Sequence, residues 1–518
     1  MEELLISSEI QFLTLLTIAA GIAVAVKYIR LPYTIALVIG GLFVSLTTVQ
    51  PYHLTEEMIL FIFLPPLLFE GAIHFELTDL RRNMKTIGAL AFPGLIFSGF
   101  FGGYLIAAMT GLPMTVALLV GVMITPTDPI SVLALFKKLG VSKRLSMIVE
   151  GESVFNDGTG IVLYSVLLGI VTSGTLNVGA SVLLFLKVVV GGMVTGLALG
   201  YLAFLFLKRL NDHVLEVLIT LLLAFGAFTI AEHTFHVSGV MAVVTAGVLI
   251  GNQGARLAMS PTTRLAIKNF WEIAAFIINS LIFLMIGTQI HLRELWSVWP
   301  LILGGFAIVI LARAAACYPV LLMLNLGGEK LPPRWFHVIN WGGIHGSIPV
   351  ALALGLPGIS HRDFIVNLVF GIVFLSLTVQ GLTVAPLVRA LGLGKRLHEE
   401  EEYEKVVARS VVIRRSLDEL KGKMQAGRVS EAIYRSVAGE LEEEMRVVQA
   451  RMEELEANPE VQRSWENRTR LAALTLQKST LYEMMIQGDV SYEGAEQLMG
   501  EVDERLERLD SEEEELGA

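Results

Sequence analysis

From about position 9 to position 391 the chain is a succession of apolar stretches, each close to 20 residues long, and few folds can hold such a pattern. A helix needs about 20 mainly apolar residues to cross the hydrocarbon core of a bilayer, and scanning at that length gives about thirteen candidate spans. Backbone polar groups in hydrocarbon must be satisfied within their own segment, so the expected fold is all-α and polytopic, with the lipid bilayer as its first partner. With 54% of residues hydrophobic and 17% charged, the composition excludes an ordinary water-soluble domain. Two spans are hard to delimit. The boundary near residues 30 to 33 rests on Arg30 and Pro32, and the run from Val237 to Gly251 is rich in glycine and under length. The N-terminus opens with Glu2 and Glu3 instead of a basic patch, and Gly21 lies inside the first apolar run. That run is expected to remain a helix and not to be cleaved as a signal peptide. Cys317 is the single cysteine and sits in an apolar run. A disulfide framework is excluded, and a small buried hydrophobe is the expected role.

Loop charge gives an independent count, because short cytoplasmic loops collect Lys and Arg. Every second loop is basic: Lys27 and Arg30; Arg81, Arg82 and Lys85; Lys137, Lys138, Lys143 and Arg144; Lys208 and Arg209; Arg256, Arg264 and Lys268; Lys330 and Arg334; Lys395 and Arg396. The intervening loops, around His53, Gly111, Ser173, His233, His291 and His361, hold few cations, Arg293 and Arg362 being the main exceptions. Thirteen spans fit this alternation with the N-terminus outside and the C-terminus in the cytoplasm. His233 and His236 are read as solvated loop residues.

At about residue 396 the composition turns to Glu, Arg, Lys, Leu and Met, with helical spacing at Leu441, Met445, Val448, Met452 and Leu455. The expected organisation is a membrane domain over 1–395 and a soluble, acidic helical tail over 396–518. The acidic residues crowd this tail while the apolar part has cationic loops, so the formal charge of −10 resides in the tail, and nothing in the chain points to nucleic acid. Gly427-Arg428-Val429-Ser430 and Gly488-Asp489-Val490-Ser491 share a Gly-x-Val-Ser opening with Ser placed as an N-cap. A duplicated helical hairpin and two unrelated helix starts account for this equally. The Glu runs are most simply a solvated helix face, with regulation as the alternative.

An ionisable side chain in the hydrocarbon region costs roughly 2.5–3.5 kcal/mol on the insertion scale, so each one marks a candidate function. Glu70 ends the run Phe61-Ile62-Phe63-Leu64-Pro65-Pro66-Leu67-Leu68-Phe69, and Asp128 sits in Thr125-Pro126-Thr127-Asp128-Pro129. Glu152 and Asp157 fall in Gly151-Glu152-Ser153-Val154-Phe155-Asn156-Asp157-Gly158; Arg313 is alone in Leu311-Ala312-Arg313-Ala314-Ala315; His345 interrupts Trp341-Gly342-Gly343-Ile344-His345-Gly346-Ser347. The prolines on both sides of Asp128 remove backbone donors and forbid regular helix there, freeing carbonyls for water or a cation. The Gly-rich stretch 342–346 is a second candidate break. The first lies in the fifth span and the second in the twelfth. If spans one to six and eight to thirteen are inverted repeats, the two breaks are equivalent and cross at the midplane. Ser153 and Asp157 share a helix face with Asn156 one step round, so hydroxyl, amide and carboxylate oxygens are able to converge on a hard cation. Glu152 is rotated from Asp157 by about 140 degrees, and it is paired with Arg313 as an intramembrane ion pair. For His345 an ion-path role and a packing role stay open.

With these motifs in order, the sequence resembles the cation/proton antiporter family that includes bacterial NhaP-type and animal NHE-type sodium/proton exchangers. Phe63-Leu64-Pro65-Pro66-Leu67-Leu68-Phe69-Glu70 is similar to that family's third-helix signature, Thr127-Asp128-Pro129 to its unwound fifth helix, and Gly151-Glu152-Ser153 with Asn156-Asp157 to its sixth. The resemblance covers about residues 10 to 391. It implies Asp157 as the alternating carrier of proton and cation, Thr127, Asp128, Ser153 and Glu70 as contributors to the cation site, and Asn156 as its orienting residue. It also implies Glu152 and Arg313 as a stabilising pair, a core that moves against a scaffold, a homodimer in the cell (inner) membrane, and a role in pH homeostasis. Asn before Asp is associated with electroneutral one-for-one exchange. His345 stands where the family usually has Arg in a Gly-Gly-x-Arg-Gly segment, so a permanent charge is replaced by a group that titrates near neutrality, a candidate pH-responsive position.

The transported ions implied are Na+ (or Li+ or K+) and H+, with no cofactor. Proton and cation exclude each other at one carboxylate, and alternating access turns that exclusion into exchange. The alternatives are a potassium or other cation/proton antiporter of the same fold, and a channel or sensor whose tail transduces a signal. No metal-ligand His cluster or nucleophile triad is visible, so the chain is not read as an enzyme.

Overall fold

The computed structural model describes residues 2–26, 28, 32–47, 54–174, 177–210, 212–255, 258–259, 261–289, 292–359, 361–393, 398–487, 489–491, 494–495, 497–502 and 505. Lys27, Arg30, Arg256, Lys395 and Arg396 of the basic loops, His53 and His291 of the intervening ones, and Gly488 of the tail lie outside the described residues. The chain divides into two units, Met1–Leu391 and Gly392–Ala518. Every regular element among the described residues is helical.

In the first unit the helices are α1 (Glu2–Val26), α2 (Tyr33–Thr47), α3 (Met58–His74), α4 (Leu77–Thr110), α5 (Met114–Met123), α6 (Ile130–Leu139), α7 (Lys143–Ser173), α8 (Val178–Leu207), α9 (His213–Phe235) and α10 (Gly239–Gly254). They continue as α11 (Pro261–Thr288), α12 (Leu292–Ser297), α13 (Trp299–Leu326), α14 (Pro333–Trp341), α15 (Ser347–Leu354) and α16 (Arg362–Ala390). Among the described residues seven of these are long and apolar enough to cross a membrane: α4, α7, α8, α9, α11, α13 and α16. The first of them begins in a polar turn, Leu77-Thr78-Asp79-Leu80-Arg81-Arg82, and becomes apolar beyond Lys85.

Burial separates inner from outer helices. In α8 17% of the most apolar window is buried, against 61% in α16. Leu183, Val190, Val194 and Leu197 of α8 are exposed, which water would punish and hydrocarbon accepts. The middle of α7 is the opposite case, buried at every position from 151 to 160. Small residues bring backbones together around it: a Cβ on Gly121 of α5 would lie 2.4 Å from the backbone nitrogen of Gly103 in α4. No larger residue fits there, and close backbone approach is how helices associate where hydrophobicity gives no net drive. Wide π-helical turns interrupt several helices, including Leu90–Gly94, which contains Pro93, and Ser376–Gln380 in α16. Proline explains the first, because it removes a hydrogen-bond donor. The second serves the site described below.

The second unit holds α17 (His398–Gln425), α18 (Glu431–Glu456) and α19 (Pro459–Gln487). The first two pack as a hairpin. Tyr403, Leu455 and Val461 are buried together beside Met452 and Trp465, with the Tyr403 and Trp465 rings edge-to-face at 5.0 Å. Arg451 grips both carboxylate oxygens of Glu402 at 2.9 Å. Ion pairs on such exposed surfaces contribute about 0–1 kcal/mol, so the apolar seam is the main stabiliser. Ser430 caps α18, accepting from the Ile433 N–H, and Ser491 accepts from the Gly494 N–H. Both Gly-x-Val-Ser segments therefore end in a Ser that binds the main chain three residues on.

Candidate functional site

Two pairs of short helices are separated by unwound segments, one between α5 and α6 over Ile124–Pro129, the other between α14 and α15 over Gly342–Gly346. They meet. The backbone N–H of Asp128 donates to the carbonyl of Ile344 at 2.6 Å, and a Cβ on Gly346 would lie 2.6 Å from Cβ of Asp128. Glycine at 346 thus lets the two unwound segments touch.

Each break leaves a helix C-terminus with free carbonyls and a helix N-terminus with free N–H groups, carrying partial charges of opposite sign. Single side chains complement these ends. Asp128 Oδ1 accepts from the Ile130 N–H at 3.0 Å, at the start of α6. Arg313 of α13 donates from Nε to the Asn340 carbonyl at 3.2 Å and from Nη2 to the Ile339 carbonyl at 3.0 Å, at the end of α14. The same Nη2 lies 2.9 Å from Glu152 Oε2. Glu152 is 3% exposed. Arg313 therefore compensates an acid and closes a helix end at once, and the second task leaves no trace in sequence.

The unwound segment before Asp128 is held by α7. Asn156 Nδ2 donates to Thr127 Oγ1 at 2.8 Å, and Asn156 Oδ1 accepts from the Thr127 N–H at 3.3 Å. Ser153 donates from its hydroxyl to the Thr127 carbonyl. Ser153 and Asn156 thus turn toward the broken backbone, where helical spacing alone suggested oxygens converging with Asp157. Spacing fixes the helix face, and the rotamer decides the partner.

Asp157 and Asp128 are left facing a cavity of about 380 Å³, also lined by Glu70 of α3 and Ser347 at the start of α15. Asp157 is 9% exposed. Its Oδ1, and Oδ2 of Asp128, are shut off from solvent with no hydrogen-bond partner among the described residues. Acceptors buried without donors are costly unless a proton or cation satisfies them. Glu70 is less enclosed, with 27% of its side chain exposed, and lies 3.5 Å from His74 Nδ1. Glu150 and Glu272 line the same cavity and were not singled out in the sequence. Glu150 had a detectable signal, standing seven residues before Asp157.

His345 lies outside that cavity's wall, 2% exposed. Ser376 Oγ is 2.5 Å from Gln380 Oε1, an acceptor, so its one proton is directed there. It then accepts from the His345 backbone N–H and from Nδ1, each at 3.0 Å, which assigns the Nδ1–H tautomer. Gln380 Nε2 donates onward to the Trp341 carbonyl at 3.0 Å. The π-helical turn of α16 thus clasps the second break through Ser376 and Gln380.

Broken helices crossing inside an apolar bundle, with unpartnered carboxylates at the crossing, define a secondary ion transporter. The particular family follows from comparison: residues 13–390 match the family described as "Sodium/hydrogen exchanger, transmembrane", and the chain belongs to it, a family of multi-pass membrane antiporters and not of catalysts. It is similar to the Na(+)/H(+) antiporter NhaG of Bacillus atrophaeus, 34% identical over 95% of this chain and 96% of that one. The Na(+)/H(+) antiporter NhaH of Halobacillus dabanensis is 39% identical over 74% of this chain and 98% of that one. In fold it is similar to the sodium proton antiporter MjNhaP1 of Methanocaldococcus jannaschii, with a TM-score of 0.63 and 21% identity over 76% of this chain and all of that one.

Proposed function

We propose that this chain exchanges sodium for protons across the cell membrane, with Asp157 as the group that carries one or the other. The observation that carries the reading is the pair of unpartnered carboxylate oxygens, Asp157 Oδ1 and Asp128 Oδ2, on one cavity where two helix breaks cross. A cation there gains hard oxygen ligands of the kind it prefers. Asp157 and Asp128 supply charge, with Thr127 and Glu70 lining the same cavity. Ser153 and Asn156 position Thr127, and the Glu152–Arg313 pair holds the second break. His345 acts on the same break through its clasp to Ser376.

In this reading the first unit crosses the membrane thirteen times. The two broken spans count as the fifth and twelfth, the two six-span halves are inverted repeats, the N-terminus is outside and the C-terminus cytoplasmic. The unit works as a homodimer, and the second unit is a cytoplasmic regulatory domain. One carboxylate carrying one proton or one sodium ion gives electroneutral exchange. Moving a net charge would couple to the potential at about 2.3 kcal/mol per 100 mV. The test is proton flux in proteoliposomes against sodium, lithium and potassium gradients, at zero and at an imposed potential. Sodium-driven flux that ignores the potential supports the proposal. Flux with potassium alone reassigns the cation, and current far above carrier turnover would make the protein a channel.

A further inference from the structure

Seven residues before Asp157, Glu150 sits two turns nearer the N-terminal end of α7, and Glu150, Val154 and Asp157 all line the one cavity. Spacings of four and three residues place them in a single stripe, with the two carboxylates about 10 Å apart along the axis. Lys137 of α6 and Glu272 of α11, both exposed, line the cavity as well.

Glu150 has no structural occupation. Its neighbour Glu152 is neutralised by Arg313, whereas the Glu150 side chain forms no salt bridge or hydrogen bond among the described residues and interacts electrostatically with Glu70. An acid within a spanning helix is expensive unless it pairs or meets water, and Glu150 meets the cavity. A second observation ties this acid to a ligand. Asp157 Oδ1, at the inner end of the stripe, is buried without a partner and lines the same cavity.

We propose that Glu150 is an entry station for the transported cation and proton, a carboxylate on the path between the cytoplasm and Asp157. The proposal rests on the exchange reading above. A unit negative charge about 10 Å from the site raises cation occupancy about two- to tenfold, depending on how well water screens the cavity. Cations entering from one side meet this charge first, because the cavity containing Glu150 reaches Asp157 from one end of α7. A separate cavity lies at the other end, lined by Ile161, Tyr164 and Leu352.

The test measures sodium/proton exchange by the full chain in everted and right-side-out membrane vesicles. With sodium at the cytoplasmic face, Glu150→Gln is expected to raise the KM for sodium about two- to tenfold while the maximal rate per folded protein is retained. With sodium at the opposite face the KM rises less. Glu150→Asp, which keeps the charge, restores the cytoplasmic KM. Should Glu150→Gln fail to fold, Lys137→Gln tests the same field with opposite sign and is expected to lower that KM. An unchanged cytoplasmic KM in the variant that folds, or an equal rise at both faces, overturns the proposal. Wild-type vesicles that exchange no sodium for protons would instead overturn the function on which it rests.

Discussion

Replacing Arg313 by Met should destabilise the protein far more than replacing its partner Glu152 by Gln, because Arg313 has two kinds of partner. Glu152→Gln leaves the guanidinium with the Ile339 and Asn340 carbonyls. Its charge stays partly compensated, and a cost of about 3 kcal/mol is expected, at the low end for a broken buried pair. Arg313→Met leaves a carboxylate that is 3% exposed with no counter-charge, at about 5 kcal/mol. It also frees two carbonyls at the end of α14, each hydrogen bond contributing about 0.5–1.5 kcal/mol. The sum is about 6–8 kcal/mol. The double variant loses only the carbonyl bonds, about 1–3 kcal/mol, so the two substitutions should couple by about 8 kcal/mol. Reversible unfolding in mixed detergent micelles, with Tm as a second readout, measures all four corners of the cycle. Additive single costs would refute the pairing. Equal costs for the two single variants would refute the dual role of Arg313.

Asp128→Asn should cripple exchange in proteoliposomes, since the amide cannot supply the second carboxylate charge at the crossing; a raised KM with near-normal maximal rate would demote Asp128 to a supporting ligand. Gly346→Ala should lower turnover about tenfold to a hundredfold in a protein that still folds, because its Cβ would sit 2.6 Å from Cβ of Asp128 and push the breaks apart; wild-type turnover would show that the contact is dispensable. Truncation after Leu391 should preserve exchange and shift its pH or cation response, and complete loss of flux in a well-folded truncation would make the tail part of the transport machinery.

What sequence disclosed was chiefly what costs energy in hydrocarbon. Asp128 and Asp157 stand out because charge is expensive there, and the first break because Pro126 and Pro129 cannot complete a helix. The Glu152–Arg313 partnership followed from having two opposite charges to place. What stayed hidden is specified by tertiary contact. Ser376 reaches His345, and Gln380 the Trp341 carbonyl, from a helix that begins seventeen residues beyond His345, and nothing local marks them. Ser153 and Asn156 bear on Thr127 through rotamers that spacing does not fix. Glu150 was overlooked beside Glu152, although its register with Asp157 was readable. The tail's charged, solvated helix faces were legible as composition, whereas the seam of Tyr403, Leu455, Val461 and Trp465 joins residues from three helices.

The central claim, that sodium and a proton compete for Asp157, is tested most directly by proton release on sodium binding. Purified protein in weakly buffered detergent solution is given sodium at fixed pH, and the released protons are counted for the wild type and for Asp157→Asn. The account predicts about one proton released per sodium ion bound by the wild type, as mutual exclusion at one carboxylate requires, and none by a folded Asp157→Asn variant. Undiminished release from Asp157→Asn would place the exchanging proton on another group and contradict the account.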